Sequence, residues 1–297
     1  MSIIKKMKTK ENNILQNRSK QETIIFRVVF VIFCLYAALL VFPFAWLVLN
    51  SLKTSIEYQV NNPFSLPSVW QFSNYKKTFE LLVVNDTGFF GMVLNSIWYT
   101  VGTTTISIIC CSATAYCIAK YNFMLKKLLY GTAIFVMIIP IVGALPAQYK
   151  LNNQLGITDS PLFLVTSTGG FGFNFIVLYG FFQSVSNSYG EAAKIDGAGH
   201  QVVFWKIIMP QAMAPVLSLA ILSAIGAWNN YMTPLLYLPS YPTLASGLYE
   251  YESNMMRVAN YPVYFAGILL SMLPILIIFI IFQKTIMQNV SAGGLKG

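Results

Sequence analysis

The chain has 297 residues, 56% of them hydrophobic and only 10% charged, with a mean hydropathy of +0.61. A water-soluble domain carries roughly 25% charged residues, so this balance excludes one and defines an integral membrane protein. The net charge of +9 is then a matter of membrane topology and requires no nucleic-acid partner.

Residues 1–23 are polar and basic without apolar periodicity and read as a cytoplasmic tail. The run from Val28 to Leu49 that follows has 22 residues. A secretory signal core has about 7–15, and no small-x-small cleavage site follows this run. Five further uncharged runs, Phe89 to Ala119, Leu128 to Tyr149, Pro161 to Phe182, Pro215 to Leu238 and Pro262 to Gln283, reach the about 20 helical residues that a hydrocarbon core demands. The predicted fold class is therefore an all-α integral membrane protein with six transmembrane helices. Its membrane domain spans 24–283, its outer loops are 50–88 and 239–261, and its C-terminal tail is 284–297. Pro140, Gly143 and Pro146 in the third run and Gly226 and Pro234 in the fifth mark candidate bends.

Basic residues set the orientation. With the N-terminus inside, 14 of the 19 Lys and Arg residues lie on the cytoplasmic side; Lys53, Lys76, Lys77, Lys150 and Arg257 lie outside. Both termini are thus predicted to be cytoplasmic, as is the segment between the fourth and fifth runs.

That segment, 188–210, is a compact polar insert. Ser188 stands three residues before Glu191 in S-x-x-E order, which predicts a capping box at a helix start. Gly197 offers a positive-φ residue to end that helix. A second short helix is predicted from Gln201 to Met209, with a break at Pro210.

Glu191-Ala192-Ala193, then Gly197, Ile207 and Met209-Pro210 at fixed spacing resemble the EAA loop of ABC importer permeases, with Met in place of the usual Leu. Phe42-Pro43-Phe44-Ala45-Trp46, Asn50-Ser51-Leu52-Lys53, Leu94-Asn95-Ser96, Ile139-Pro140, Trp228-Asn229-Asn230-Tyr231 and the tail Ala292 to Gly297 extend the resemblance to the carbohydrate-uptake permeases, in particular the six-span maltose-type subunit. The tail departs from the commoner Thr-Ala-Gly-Ala-Val-Lys-Gly form.

The resemblance implies an ATP-driven alternating-access importer of a sugar, in particular an oligosaccharide, in the bacterial cytoplasmic membrane. It implies a second homologous permease in a heterodimer, two ABC ATPase subunits that use ATP and Mg, and an extracytoplasmic sugar-binding protein. The 188–210 loop would be the coupling helix. Glu191 would be the anchoring charge, Ala192 and Ala193 would allow close approach of the ATPase, Gly197 would set the angle to the second arm, and Asp196 and Pro210 would complete the contact. No nucleotide loop of the G-x-x-x-x-G-K-[ST] kind and no catalytic set is visible, so the chain is read as a non-enzymatic subunit that binds no cofactor or metal itself.

Asn95, Trp98, Asn174, Trp228, Asn229 and Tyr231 are the predicted substrate-path residues, because amides in apolar spans face the bundle or a watery cavity and aromatic rings suit a neutral sugar. The other reading is that the asparagines tie helices together. Tyr241, Tyr249 and Tyr251, in the segment before the last run, are predicted by the resemblance to meet the binding protein. The cysteines Cys34, Cys110, Cys111 and Cys117 lie in apolar runs and read as packing residues, and Gly169-Gly170-Phe171-Gly172 reads as a site of close helix packing. Two other functions stay open. One is import of a phosphorylated polyol or other small solute; the other is a stand-alone secondary transporter, which should show internal repeats or ionisable residues at mid-membrane.

Overall fold

The computed structural model describes residues 20–138, 143–167, 169–254 and 260–292, and side chains only to Gln283 in the last helix. The Ile139-Pro140 pair, Arg257 and most of both tails lie outside the described residues.

The chain divides into two compact units, 1–71 and 72–297. In the first, α1 (Lys20–Ser51) is apolar all round, and every residue from Ile24 to Ala45 is exposed. Such a helix is stable only in lipid or against another apolar surface. Its end is tied into a compact turn with α2 (Ser55–Val60), where the Thr54 hydroxyl accepts the Glu57 N–H at 3.2 Å as an N-cap. Lys53, fully buried, donates to the carbonyls of Asn62 and Pro63 at 3.3 and 3.1 Å. Burial holds its ammonium below the usual lysine range, partly offset by Glu57.

In the second unit, α3 (Ser73–Leu81) is followed by a hairpin of β1 (Val83–Val84) and β2 (Thr87–Gly88). This small antiparallel pair corrects the all-α expectation. Asn85 and Asp86 both take positive φ, 47° and 63°, the conformation of a two-residue turn that these residue types tolerate.

The central element is α4 (Phe89–Lys120), 32 residues long. Phe89, Met92, Ser96, Tyr99, Ile108, Cys111, Ala115 and Ile118 lie on its buried side, a stripe at three- and four-residue spacing. It packs mainly against α8 (Phe173–Ser184) and α12 (Met213–Trp228). The final helix, α15 (Tyr261–Ala292), packs on α12 and α3.

Among the described residues, α1, α4 and α15 are single helices long and apolar enough to cross a membrane. The three remaining runs, of which the third and fifth were predicted to bend, are each split in two. The third gives α5 (Lys126–Ile138) and α6 (Ala144–Gln154), the latter starting after Gly143 at φ +81°. The fourth gives α7 (Phe163–Ser167) and α8, broken at the glycines 169–172. A Cβ on Gly170 would stand 2.6 Å from Thr114 Oγ1, so the glycine cluster is a place of close packing, with the break between α7 and α8 lying against α4. The fifth gives α12 and α13 (Met232–Tyr237), broken at Asn229–Tyr231. Cys111 is buried in the core, while Cys34 and Cys117 lie on helix surfaces.

Candidate functional site

The 188–210 insert forms two short helical arms. The first is α9 (Ser188–Ile195). The predicted capping box is not formed: Ser188 is the first helical residue, and the N-cap is Asn187, whose side chain makes no capping bond. The Asn187 Oδ1 instead accepts from Lys120 Nζ at 2.9 Å, and the Ser188 N–H donates to Ser186 Oγ at 3.3 Å. A charged donor at the end of α4 outcompetes the local cap.

The end of α9 forms as predicted. Gly197 sits at φ +84°, its N–H donates to the Lys194 carbonyl at 3.0 Å, and the Ala198 N–H donates to the Ala193 carbonyl at 2.9 Å. Together these bonds make a Schellman motif, which closes the last turn and fixes the exit angle.

The second arm extends further than predicted, from His200 to Gln211. It runs through α10 (His200–Val202), a π-helical stretch Val203–Ile208 and α11 (Met209–Gln211). The Met209 N–H reaches five residues back to Phe204, and Pro210 has no N–H to offer Lys206 one turn earlier, so the wider turn spares the proline ring a clash. The predicted break at Pro210 falls instead at Ala212, where the chain bends by 80° into α12.

One face of the insert belongs to the helix core. Ala193, Val203, Phe204, Ile208 and Met209 share a cluster with Ile108 and Tyr116 of α4 and Phe175, Leu178 and Phe182 of α8. The Tyr116 ring lies 4.9 Å from that of Phe204 and 5.8 Å from that of Phe182. Lys120 also donates to the Val185 carbonyl. Tyr121, just past α4, meets His200 Nδ1 at 2.6 Å and carries the Lys194 ammonium 5.7 Å above its ring. Both arms are thereby clamped to the end of one long apolar helix.

The other face is free. Glu191, Ala192, Asp196, Gly197 and Pro210 are exposed, whereas Ala193 is 8% exposed and packs inward. Of the two alanines predicted to meet a partner, only Ala192 is open to one. Sequence reasoning missed Ile195, which at 86% exposure projects from the end of α9. An isoleucine left bare beside a glycine-terminated helix was its available signal. Glu191 lies at the rim of a cavity of about 130 Å³ shared with Lys120 and Lys194.

The predicted path residues divide among three places. Asn95 donates to the Pro242 carbonyl at 3.0 Å and accepts from Trp98 Nε1 at 3.1 Å. The Trp98 ring packs edge-on against Tyr241. Asn174 donates to Ser223 Oγ at 2.9 Å, joining α8 to α12. These contacts tie segments of the chain together. Trp228, Asn229, Tyr231 and Tyr249 converge with Glu252, Tyr264 and Ser271 on a cleft of about 210 Å³. There the rings of Tyr231 and Tyr249 stack at 4.7 Å, Trp228 Nε1 donates to the Ser271 carbonyl and Tyr264 donates to Glu252. Tyr249 is exposed on α14 (Leu244–Asn254), while Tyr251 packs against Tyr264.

Long apolar helices with bare outer faces, polar clefts between them and one rigid loop clamped to the core define a membrane-embedded transport component. The chain belongs to the family of binding-protein-dependent transport system inner membrane components, which it matches over residues 107–291. It is 27% identical over 263 residues to the diacetylchitobiose uptake system permease protein NgcG of Streptomyces coelicolor, covering 87% of this chain and 85% of that one. It is 30% identical over 226 residues to the maltodextrin transport system permease protein MalD of Streptococcus pneumoniae, covering 72% and 79%. The fold is shared with a bacterial ABC transporter involved in the import of the acidic polysaccharide alginate, with a TM-score of 0.75 at 24% identity over 90% of this chain and 98% of that one. The resemblance read from the EAA spacing is thus borne out.

Proposed function

We propose that this chain is one of two permease subunits of an ABC importer that carries a neutral oligosaccharide across the bacterial cytoplasmic membrane. The observation that carries the reading is the two-faced insert 188–210: one side is built into the core of α4 and α8, and the other presents Glu191, Ala192, Ile195 and Asp196 to a partner. A loop so fixed transmits force. When two partner ATPase subunits close on ATP and Mg, the insert moves as a lever and α4 and α8 move with it, switching the bundle between inward-open and outward-open states. Hydrolysis belongs to the partners.

In this reading six crossings, the three split runs included, place both termini and the insert in the cytoplasm. The segments 50–88 and 239–261 face the binding protein, with Tyr249 at the contact, and a homologous permease completes the bundle. Relatives named for diacetylchitobiose and maltodextrin uptake support a sugar substrate. The linings of two clefts between the described helices contain no Lys or Arg, which favours a neutral solute over a phosphorylated one.

The test is a gentle-detergent pull-down of the tagged chain, with ATPase activity of the recovered complex assayed with added binding protein and an oligosaccharide panel. Recovery of an ATPase stimulated by one sugar-loaded binding protein is the expected result. Recovery of the chain alone, active in gradient-driven flux, would overturn the reading.

A further inference from the structure

Beside the aromatic cleft lies a second opening between the apolar helices, of about 240 Å³. Its walls carry Thr103, Thr104 and Ser107 of α4, Ser223 of α12, Asn230 at the break before α13 and Thr233 in the first turn of α13, beside Tyr99. Apart from the Tyr99 phenol, none of these side chains is ionisable. Thr103 and Thr104 sit at the midpoint of the 32-residue α4, so if that helix crosses the membrane the cleft lies near the bilayer midplane.

The hydrogen-bond inventory shows what the cleft has left to offer. Thr103 donates to the Tyr99 carbonyl at 2.7 Å, which leaves its lone pairs as acceptors. Ser223 accepts from Asn174 at 2.9 Å, which leaves its proton as a donor. Asn230 and Thr233 bond each other at 2.9 Å and hold the break in one geometry. Thr104 Oγ1 is shielded from solvent in this state and, among the described residues, has no hydrogen-bond partner. Groups that both donate and accept, without charge, match a solute made of hydroxyls. Hydrocarbon cannot satisfy them, so the cleft requires water or such a solute.

The break at Asn229–Tyr231 also deals its residues alternately: Asn229 and Tyr231 line the aromatic cleft, whereas Asn230 and Thr233 line the hydroxyl cleft. We infer that the hydroxyl cleft is the wall this chain contributes to the translocation path, and that Thr103, Thr104, Ser107 and Ser223 bind the hydroxyls of a neutral polyol in transit. This deepens the proposed function and rests on it.

Two experiments on the assembled transporter separate the parts. In a background with Cys34, Cys110, Cys111 and Cys117 replaced by alanine, Ser107→Cys and Ser223→Cys are treated with a membrane-impermeant methanethiosulfonate and compared with Val101→Cys and Ile109→Cys. The controls replace residues exposed on the apolar surface of α4. In at least one nucleotide state the cleft thiols should react faster by about an order of magnitude, because only a hydrated thiol ionises readily. Equal or slower rates in every state would overturn the inference.

The second experiment measures uptake of maltotriose and diacetylchitobiose. Thr103→Val with Thr104→Val keeps side-chain shape and removes two hydroxyls, and should lower the maximal uptake rate about fivefold while the KM, set by capture on the binding protein, and the basal ATPase rate move far less. An unchanged maximal rate for a transported probe would overturn the binding role. If the unsubstituted transporter carries neither sugar, the oligosaccharide reading fails, and the labelling rates still decide whether the cleft is a water-filled path.

Discussion

The phenol oxygen of Tyr121 lies 2.6 Å from Nδ1 of His200. Tyr121 caps the end of α4 and His200 opens the second arm of the insert, so this bond joins the longest buried helix to the proposed docking loop. Tyr121→Phe removes the hydroxyl and keeps the ring under Lys194, and should cost about 1 kcal/mol of loop attachment. Stimulation of the partner ATPase by the binding protein should fall, while membrane insertion and assembly stay intact. In a double-mutant cycle, adding His200→Ala to Tyr121→Phe should cause little further loss. Fully additive losses would show that the pair does not act as a unit.

Gly197 holds φ +84°, and a Cβ there would meet nothing within 4 Å, so a substitution acts through the backbone alone. Gly197→Val should weaken the end of α9 by about 1–2 kcal/mol or more, the cost of left-handed backbone for a residue with a Cβ. Transport should fall accordingly. Gly197→Asn should recover most of it, because asparagine tolerates that conformation. Equal activity of the Val and Asn variants would separate the exit angle from coupling.

Ile195 supports no core of its own chain at 86% exposure. Ile195→Asp should leave expression and insertion unchanged and weaken ATPase retention by about 2 kcal/mol, roughly thirtyfold, as expected of a central apolar anchor. Quantitative co-purification measures it. Full retention would move the docking surface elsewhere.

Glu57 Oε1 accepts the Ser68 N–H at 2.6 Å. That bond, with smaller help from Thr54 and Lys53 and against desolvation, holds its carboxyl below the usual range. A depressed carboxylate stabilises the fold fully above its unfolded pKa of about 4.3, and that contribution is lost as pH falls through the lower folded value. Hydrogen exchange across 54–71, corrected for intrinsic rates, should therefore rise more steeply with acid than in the rest of the unit. Glu57→Gln should flatten that dependence and show faster exchange already at neutral pH.

The long apolar helices α1, α4 and α15 and the two-armed insert were legible because their signals are local: uncharged runs of fixed length, a glycine at a helix end, an EAA triplet at set spacing. The predicted cap at Ser188 does not form because the helix already includes Ser188; the N-cap position falls to Asn187, whose side chain is held by Lys120, 67 residues away. Splitting of the third, fourth and fifth runs was only hinted at by proline and glycine, since composition does not say where a chain will stop being helical. The hairpin at Val83–Gly88 escaped notice among longer apolar patterns, though Asn85-Asp86 is a turn pair by type. Asn95 and Asn174, read as path residues, each also bond within the chain, to the Pro242 carbonyl and to Ser223. The hydroxyls of α4 passed as ordinary span residues, because Thr and Ser can return a bond to the preceding turn and cost a helix little.

The most direct measurement is uptake of radiolabelled maltotriose and diacetylchitobiose into liposomes holding the assembled complex, with ATP supplied on the ATPase side and binding protein on the other. Uptake that requires ATP and the partners and is lost in Ile195→Asp is the expected result. Uptake by this chain alone, driven by an ion gradient and indifferent to Ile195→Asp, would contradict the account.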